Sequence, residues 1–129
     1  MVVDTSALIA ILLEEPEAES FAAELGRAER LIISVASVLE SSIVIERTYP
    51  GIGQASLDRF LSDLEFEIVP VTAEQVAVAR EAYRKYGRGR HGLNFGDCFS
   101  YGLSKVSGEP LLYKGADFLE TDVVAAISS

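Results

Sequence analysis

The chain has 129 residues, 49% of them hydrophobic, and a formal net charge of −9. That length suits one domain with a real core and leaves little for a second, while the apolar share and the lack of polar low-complexity stretches exclude a disordered chain. The negative balance argues against unspecific nucleic-acid binding, which rests on Lys and Arg contacts to phosphate, and the single cysteine excludes an internal disulfide and a purely thiolate zinc site.

Val2 and Val3 begin an apolar run that stops at Asp4, and Thr5 to Leu13 continues at helical spacing, so the chain opens as strand then helix. The longest apolar run, Ala7 to Leu13, is too short to span a bilayer. It also lacks the basic flank of a secretory signal, so a cytoplasmic location is the expectation. Pro16 suits the first turn of a second helix, with Glu17 and Glu19 placed early as the helix dipole prefers and an end near Gly26. Leu31 to Ile33 reads as a buried strand. Ser34 or Ser37 then caps a helix to about Thr48, where Pro50 and Gly51 interrupt the chain.

Gln54 to Leu64 reads as a further helix and Phe66 to Val69 as a third strand. Thr72 with Gln75 matches a capping box, after which Val76, Ala79, Tyr83 and Tyr86 recur at helical spacing. The glycine-rich stretch from Gly87 to Gly92 predicts a mobile loop, and a helix carrying Phe99, Leu103 and Val106 starts near Asn94. Pro110 to Tyr113 and Val123 to Ile127 complete five strands. Short apolar strands alternating with amphipathic helices predict an α/β fold, a single domain over residues 1–129 whose mostly parallel sheet is covered on both faces. Ligands of such sheets bind beyond the carboxyl ends of the strands.

Acidic residues fall at those places. Asp4 ends the first strand, Glu40 lies early in the third helix, Asp97 opens the helix after the glycine loop, and Asp117 follows the fourth strand. Each has a structural reading when taken alone: Asp4 as a helix N-cap, Glu40 with Ser37 as a capping box, Asp97 as a charge favouring a helix N-terminus, Asp117 as a turn former. Glu40 fits least well, because its one-turn neighbours Ala36, Ile43 and Val44 are apolar. If the four converge, repulsion and desolvation raise at least one carboxyl pKa unless a cation sits among them. Oxygen donors without a His or Cys cluster favour Mg²⁺ or Mn²⁺ over zinc.

Val2-Val3-Asp4-Thr5-Ser6-Ala7, the Ser-Val-Leu-Glu run ending at Glu40, Asn94-Phe95-Gly96-Asp97, and Leu112 to Phe118 with Thr121-Asp122 behind it resemble, in order and spacing, the VapC branch of PIN-domain nucleases. The resemblance covers essentially the whole chain. It implies a three-layer α/β/α sandwich whose acidic pocket holds one or two Mg²⁺ or Mn²⁺ ions and cuts RNA, leaving 5′-phosphate and 3′-hydroxyl ends. Asp4, Glu40, Asp97 and Asp117 become the metal-site and catalytic carboxylates, with Asp122 as an outer member. Thr5 or Ser6 supplies a hydroxyl near the scissile phosphate, where capping of the first helix competes, and Asn94 orients Asp97, binds substrate or only caps its helix. The resemblance also implies a homodimer silenced by a VapB-like antitoxin. Val35, Val38 and Leu39, with Ala7 to Leu13, offer an apolar groove for it, though core packing explains them equally well.

Five of the eleven basic side chains, Arg80, Arg84, Lys85, Arg88 and Arg90, cluster beside His91. They form either a solvated helix end or a rim that binds RNA, with Arg88 and Arg90 nearest the acids in sequence. Cys98 paired with His91 as a nucleophile is set aside in favour of a buried structural thiol. A receiver domain would carry an acidic pair after its first strand, and a haloacid-dehalogenase-type phosphatase a second Asp where Ser6 stands, so both fit poorly. A housekeeping RNA-processing nuclease stays open beside the toxin; an adjacent antitoxin gene separates them.

Overall fold

The computed structural model describes residues 1–89 and 92–127. Its elements run β1 (Val2–Val3), α1 (Thr5–Leu12), α2 (Ala18–Arg27), β2 (Ile32–Ser34), α3 (Val35–Thr48), α4 (Gly53–Asp63), β3 (Glu67–Val69), α5 (Ala73–Tyr86), α6 (Phe95–Ser107) and β4 (Leu111–Leu112). The strands pair in the order β3-β2-β1-β4, all parallel. Parallel neighbours need a crossover, and the helices supply it.

The dipeptides Val2-Val3, Ile32-Ile33 and Leu111-Leu112 explain why the sheet is buried on both sides. Successive strand residues point to opposite faces. Val3, Ile33 and Leu112 accordingly join Leu8, Ile45 and Leu57 in one core, while Val2, Ile32 and Leu111 join Tyr101, Leu103 and Phe118 in the other. Full burial of one such aliphatic side chain is worth about 1.5–3 kcal/mol. The result is the expected α/β/α sandwich.

The sheet has four strands among the described residues rather than five. Val123 to Ile127 contributes a single bridge between Ala125 and Leu111, made by Leu111 N donating to Val124 O and Ala126 N donating to Leu111 O. Val123 and Ala126 pack partly against the two cores, but Val124 is 68% exposed and the pairing ends after one bridge. β3 is likewise an exposed edge, with Ile68 turned to solvent.

Two helix starts differ in detail from their expected signals. Ser34, not Ser37, caps α3 by accepting from Ala36 N at 3.2 Å, and Ser37 is buried one turn in. Thr72 caps α5 by accepting from Gln75 N, but the Gln75 amide donates to Pro70 O instead of closing a box. α5 packs on α6 through Gln75, Ala79 and Ala82. The approach is so close that a Cβ on Gly102 would lie 2.7 Å from Gln75 O, which leaves Val76 and Tyr83 half exposed beside the contact.

Candidate active site

The chain steps from β1 through β2 to β3 on one side of β1 and returns to β4 on the other. The switch point where ligands collect in such sheets is therefore the gap beyond the carboxyl ends of β1 and β4. Asp4 follows β1 directly and Asp117 lies in the turns after β4. α6 brings Asp97 to the same place and α3 brings Glu40.

Asp4 is 3% exposed and is held by two hydroxyls. Ser100 donates to its Oδ1 at 2.5 Å, and Ser6 donates to its Oδ2 through both Oγ, at 2.6 Å, and the backbone N, at 3.0 Å. The Ser6 Oγ in turn accepts from Lys114 N at 2.9 Å, tying the β4 exit to the β1 exit. Burial raises the Asp4 pKa above its ordinary 3.8; the bonds from Ser100 and Ser6 oppose the rise, and the charge of Glu40 adds to it.

Asp97 and Asn94 form a reciprocal cap on α6: Asp97 N donates to Asn94 Oδ1 at 2.9 Å, and Asn94 N donates to Asp97 Oδ2 at 3.0 Å. Asn94 thus caps its helix and orients Asp97 in one act. Burial, partly offset by the Asn94 bond, pushes the Asp97 carboxyl up to about 7, helped by a hydrogen bond to Asp117 and by the charges of Asp4 and Asp117. Glu40 is exposed in the second turn of α3, its carboxylate against the first turn of α6 at Gly96. Its expected capping box with Ser37 does not form, since Ser34 takes the cap and the Ser37 Oγ lies 3.4 Å from the Ser100 Oγ.

Asp97 is hydrogen-bonded to Asp117 and feels the charge of Asp4, and Asp4 feels that of Glu40. Among the described residues, no three of the acids come together closely enough to hold a metal ion as they stand. None of the four is in an ion pair among the described residues; Lys114, the cation held closest through its backbone, spends its ammonium on Glu15 at 2.7 Å and Glu17 at 3.1 Å. The donors are all carboxylate oxygens without an ion-pair partner among the described residues, a donor chemistry that fits a hard divalent cation.

Other expected residues sit elsewhere. Thr5 is buried, and its hydroxyl donates to Ser37 O at 3.4 Å, away from the acids. Asp122 accepts from the Tyr101 hydroxyl and pairs with Lys105 at 3.1 Å, which pins the C-terminal segment to α6. Arg88 is exposed just beyond α5, Arg84 pairs with Glu81, and Arg90 with His91 lies outside the described residues. Cys98 is half-buried rather than buried, lining a cleft between α5 and α6, and burial with the charge of Asp97 raises its thiol pKa, which makes it a poor nucleophile. Ser100 escaped the sequence reading. Its signal was the polar stripe Asp97, Ser100 and Ser104 at helical spacing, all three buried in α6.

A PIN-domain model matches residues 1–124. The chain belongs to the PIN-domain family, in its VapC branch. This PIN domain is 51% identical over 125 residues to Ribonuclease VapC30 of Mycobacterium tuberculosis, with 95% of each chain covered. It is also 51% identical over 127 residues to a ribonuclease VapC of Mycolicibacterium smegmatis, covering 97% of this chain and 98% of that one. Among solved structures it superposes on Mycobacterium tuberculosis VapC20, described as a sarcin-ricin loop cleaving toxin, with a TM-score of 0.77 at 16% identity and 95% coverage of both chains. A toxin-antitoxin complex from Klebsiella pneumoniae matches with a TM-score of 0.73 at 17% identity, covering 99% of this chain and 98% of that one. At such identities these two likenesses speak for the fold alone.

Proposed function

We propose that this PIN domain is a metal-dependent endoribonuclease, the toxin of a toxin-antitoxin pair. The carrying observation is that Asp4, Glu40, Asp97 and Asp117 lie around the β1–β4 switch point with none of them in an ion pair among the described residues. The 51% identity to named VapC ribonucleases supports the same reading. Asp4, Asp97 and Asp117 hold Mg²⁺ or Mn²⁺, one or two ions, with Glu40 completing the set from α3. A bound divalent cation supplies an acidified attacking water and neutralises charge on the scissile phosphate and leaving oxygen.

The remaining work belongs to the protein. Ser6 and Ser100 fix the rotamer of Asp4 so that its carboxylate needs no rearrangement when substrate arrives. Asn94 does the same for Asp97. The carboxylates would hold cations and the attacking group is water, so no covalent enzyme intermediate forms. Arg80 and Arg88, exposed and outside any ion pair among the described residues, draw an RNA strand toward a pocket that would otherwise repel it.

Partners follow from exposed apolar surface. Ala7, Leu8 and Ala10 are spent in the core, but Val35, Leu39 and Ile43 on α3 are 45%, 64% and 45% exposed. A cleft of about 480 Å³ between α5 and α6 is lined by Val76, Tyr83, Phe95 and Phe99. We assign these surfaces to a second copy of the chain and to the antitoxin, which approaches the acids from α3. No helix among the described residues is long and apolar enough to cross a membrane.

Cleavage of defined RNAs tests the reading. Activity is expected with Mg²⁺ or Mn²⁺, none with chelator, and none in Asp97→Asn. An Asp97→Asn protein cutting at the wild-type rate would end it.

A further inference from the structure

We infer that Gly96 is a positioning residue: the missing side chain at the second position of α6 leaves the space in which the Glu40 carboxylate stands beside the other acids. The inference rests on the metal-site reading above. An ideal Cβ built on Gly96 falls within 3.0 Å of three atoms, and all three, Oε2, Cδ and Oε1, are the head group of Glu40.

The backbone gives no other reason for a glycine there. Unlike Gly108 or Gly115, Gly96 does not take a positive φ, and within a helix glycine is a poorer choice than alanine. Gly102, farther along α6, has a different cause, since its Cβ would strike the backbone of α5. At Gly96 the obstacle is the end of a flexible, exposed side chain, with no hydrogen-bond partner among the described residues to anchor it. A methyl group would turn the carboxylate aside with little resistance from the fold. Asp4 and Asp97 are held by hydroxyl and cap bonds; Glu40 has no such bond among the described residues, and the open position at Gly96 is what lets its carboxylate stand there.

The consequence is a separation of stability from cation binding. Gly96→Ala is expected to keep or raise the urea midpoint of the metal-free protein, because alanine favours the helix, while weakening Mn²⁺ binding by about 10- to 100-fold, the scale seen when the support of a ligand is lost. The experiment is Mn²⁺ titration calorimetry on the full chain after chelation, with wild type, Gly96→Ala, Glu40→Gln and the double variant, beside urea denaturation of each. Because the glycine acts through Glu40, the double variant should bind Mn²⁺ no more weakly than Glu40→Gln alone. Wild-type Mn²⁺ affinity in Gly96→Ala, with Glu40→Gln weakened, would overturn the inference and leave the metal site standing. A Gly96→Ala penalty that persists in full on the Glu40→Gln background would also overturn it, by placing the effect in the helix. Wild-type affinity in Glu40→Gln would remove Glu40 from the metal-site reading and the inference with it.

Discussion

Replacing Asp97 by Asn should stabilise the metal-free protein while abolishing cleavage. Asn is nearly isosteric, and its Oδ1 can still accept from Asn94 N, so the cap on α6 survives. What disappears is an ionisable group whose pKa rises from 3.8 to about 7 on folding, chiefly through burial. At 1.36 kcal/mol per unit such a rise is worth about 4 kcal/mol as an upper bound. The rise is shared with Asp4 and Asp117, whose charges contribute to it and which relax when Asp97 is replaced, so the realised gain is about 1–2 kcal/mol. The sign follows from linkage. A carboxyl with a raised folded-state pKa favours the fold below its unfolded pKa, and that contribution is lost as pH climbs through the folded value. Wild-type stability in chelator should therefore fall between about pH 4 and pH 7 and level off above, and the advantage of Asp97→Asn should grow over the same window. Urea denaturation across that range measures it. Saturating Mn²⁺ should reverse the ranking, because only the wild type gains fully from binding in the native state. A chelated wild type with flat stability from pH 4 to pH 8, or an Asn variant no more stable than wild type at pH 8, would refute the argument.

Three further outcomes are expected. Ser100→Ala removes the hydroxyl donor from the buried Asp4 Oδ1 and should cost about 1.5–3 kcal/mol in urea denaturation, the range for hydrogen bonds to charged groups; a loss below about 0.5 kcal/mol would show that Ser6 alone suffices. Charge reversal of Arg80 and Arg88 together should slow RNA cleavage at low salt and flatten its salt dependence, and an unchanged salt profile would remove the basic rim from the mechanism. Asp122→Asn breaks an exposed pair with Lys105, so it should cost under about 1 kcal/mol and leave the rate per bound Mn²⁺ intact; loss of Mn²⁺ binding would restore Asp122 to the metal site.

The sheet could be read from the sequence because its strands are buried on both faces, and consecutive aliphatic pairs such as Val2-Val3 and Ile32-Ile33 have no other economical explanation. The fifth strand could not. Val123 to Ile127 has the composition of a strand, but composition does not disclose that its pairing with β4 stops after a single bridge, with Val124 turned to solvent. In α5, the spacing of Val76, Ala79 and Tyr83 correctly signals a helix and misplaces its buried face. Contact with α6 uses the small residues Ala79 and Ala82 around Gly102, leaving the larger ones at the rim of the cleft. The four acids stand at strand ends and helix starts, which position and order in the sequence mark. Ser100, which bonds a carboxylate 96 residues away, escapes notice because its polar stripe in α6 is as compatible with a solvent face as with a buried one.

The capping and the chemical readings of Asp4 and Asp97 are compatible with one arrangement. Asp4 caps α1 through Ser6 N, and Asp97 caps α6 through its exchange with Asn94. Glu40 reaches the first turn of that same helix across Gly96. The amino end of a helix carries partial positive charge and unsatisfied N–H groups, so it is a place where a carboxylate can be buried at reduced cost. Two helix starts beside the β1–β4 switch point allow like charges to be concentrated there before any cation binds. The compensation is incomplete, as the raised pKa values of Asp4 and Asp97 show. That shortfall is the electrostatic drive for a divalent ion, since full local compensation by lysine or arginine would have left nothing to attract one. Lys114 illustrates the point: its backbone N–H anchors Ser6 at the site, while its ammonium is drawn away to Glu15 and Glu17.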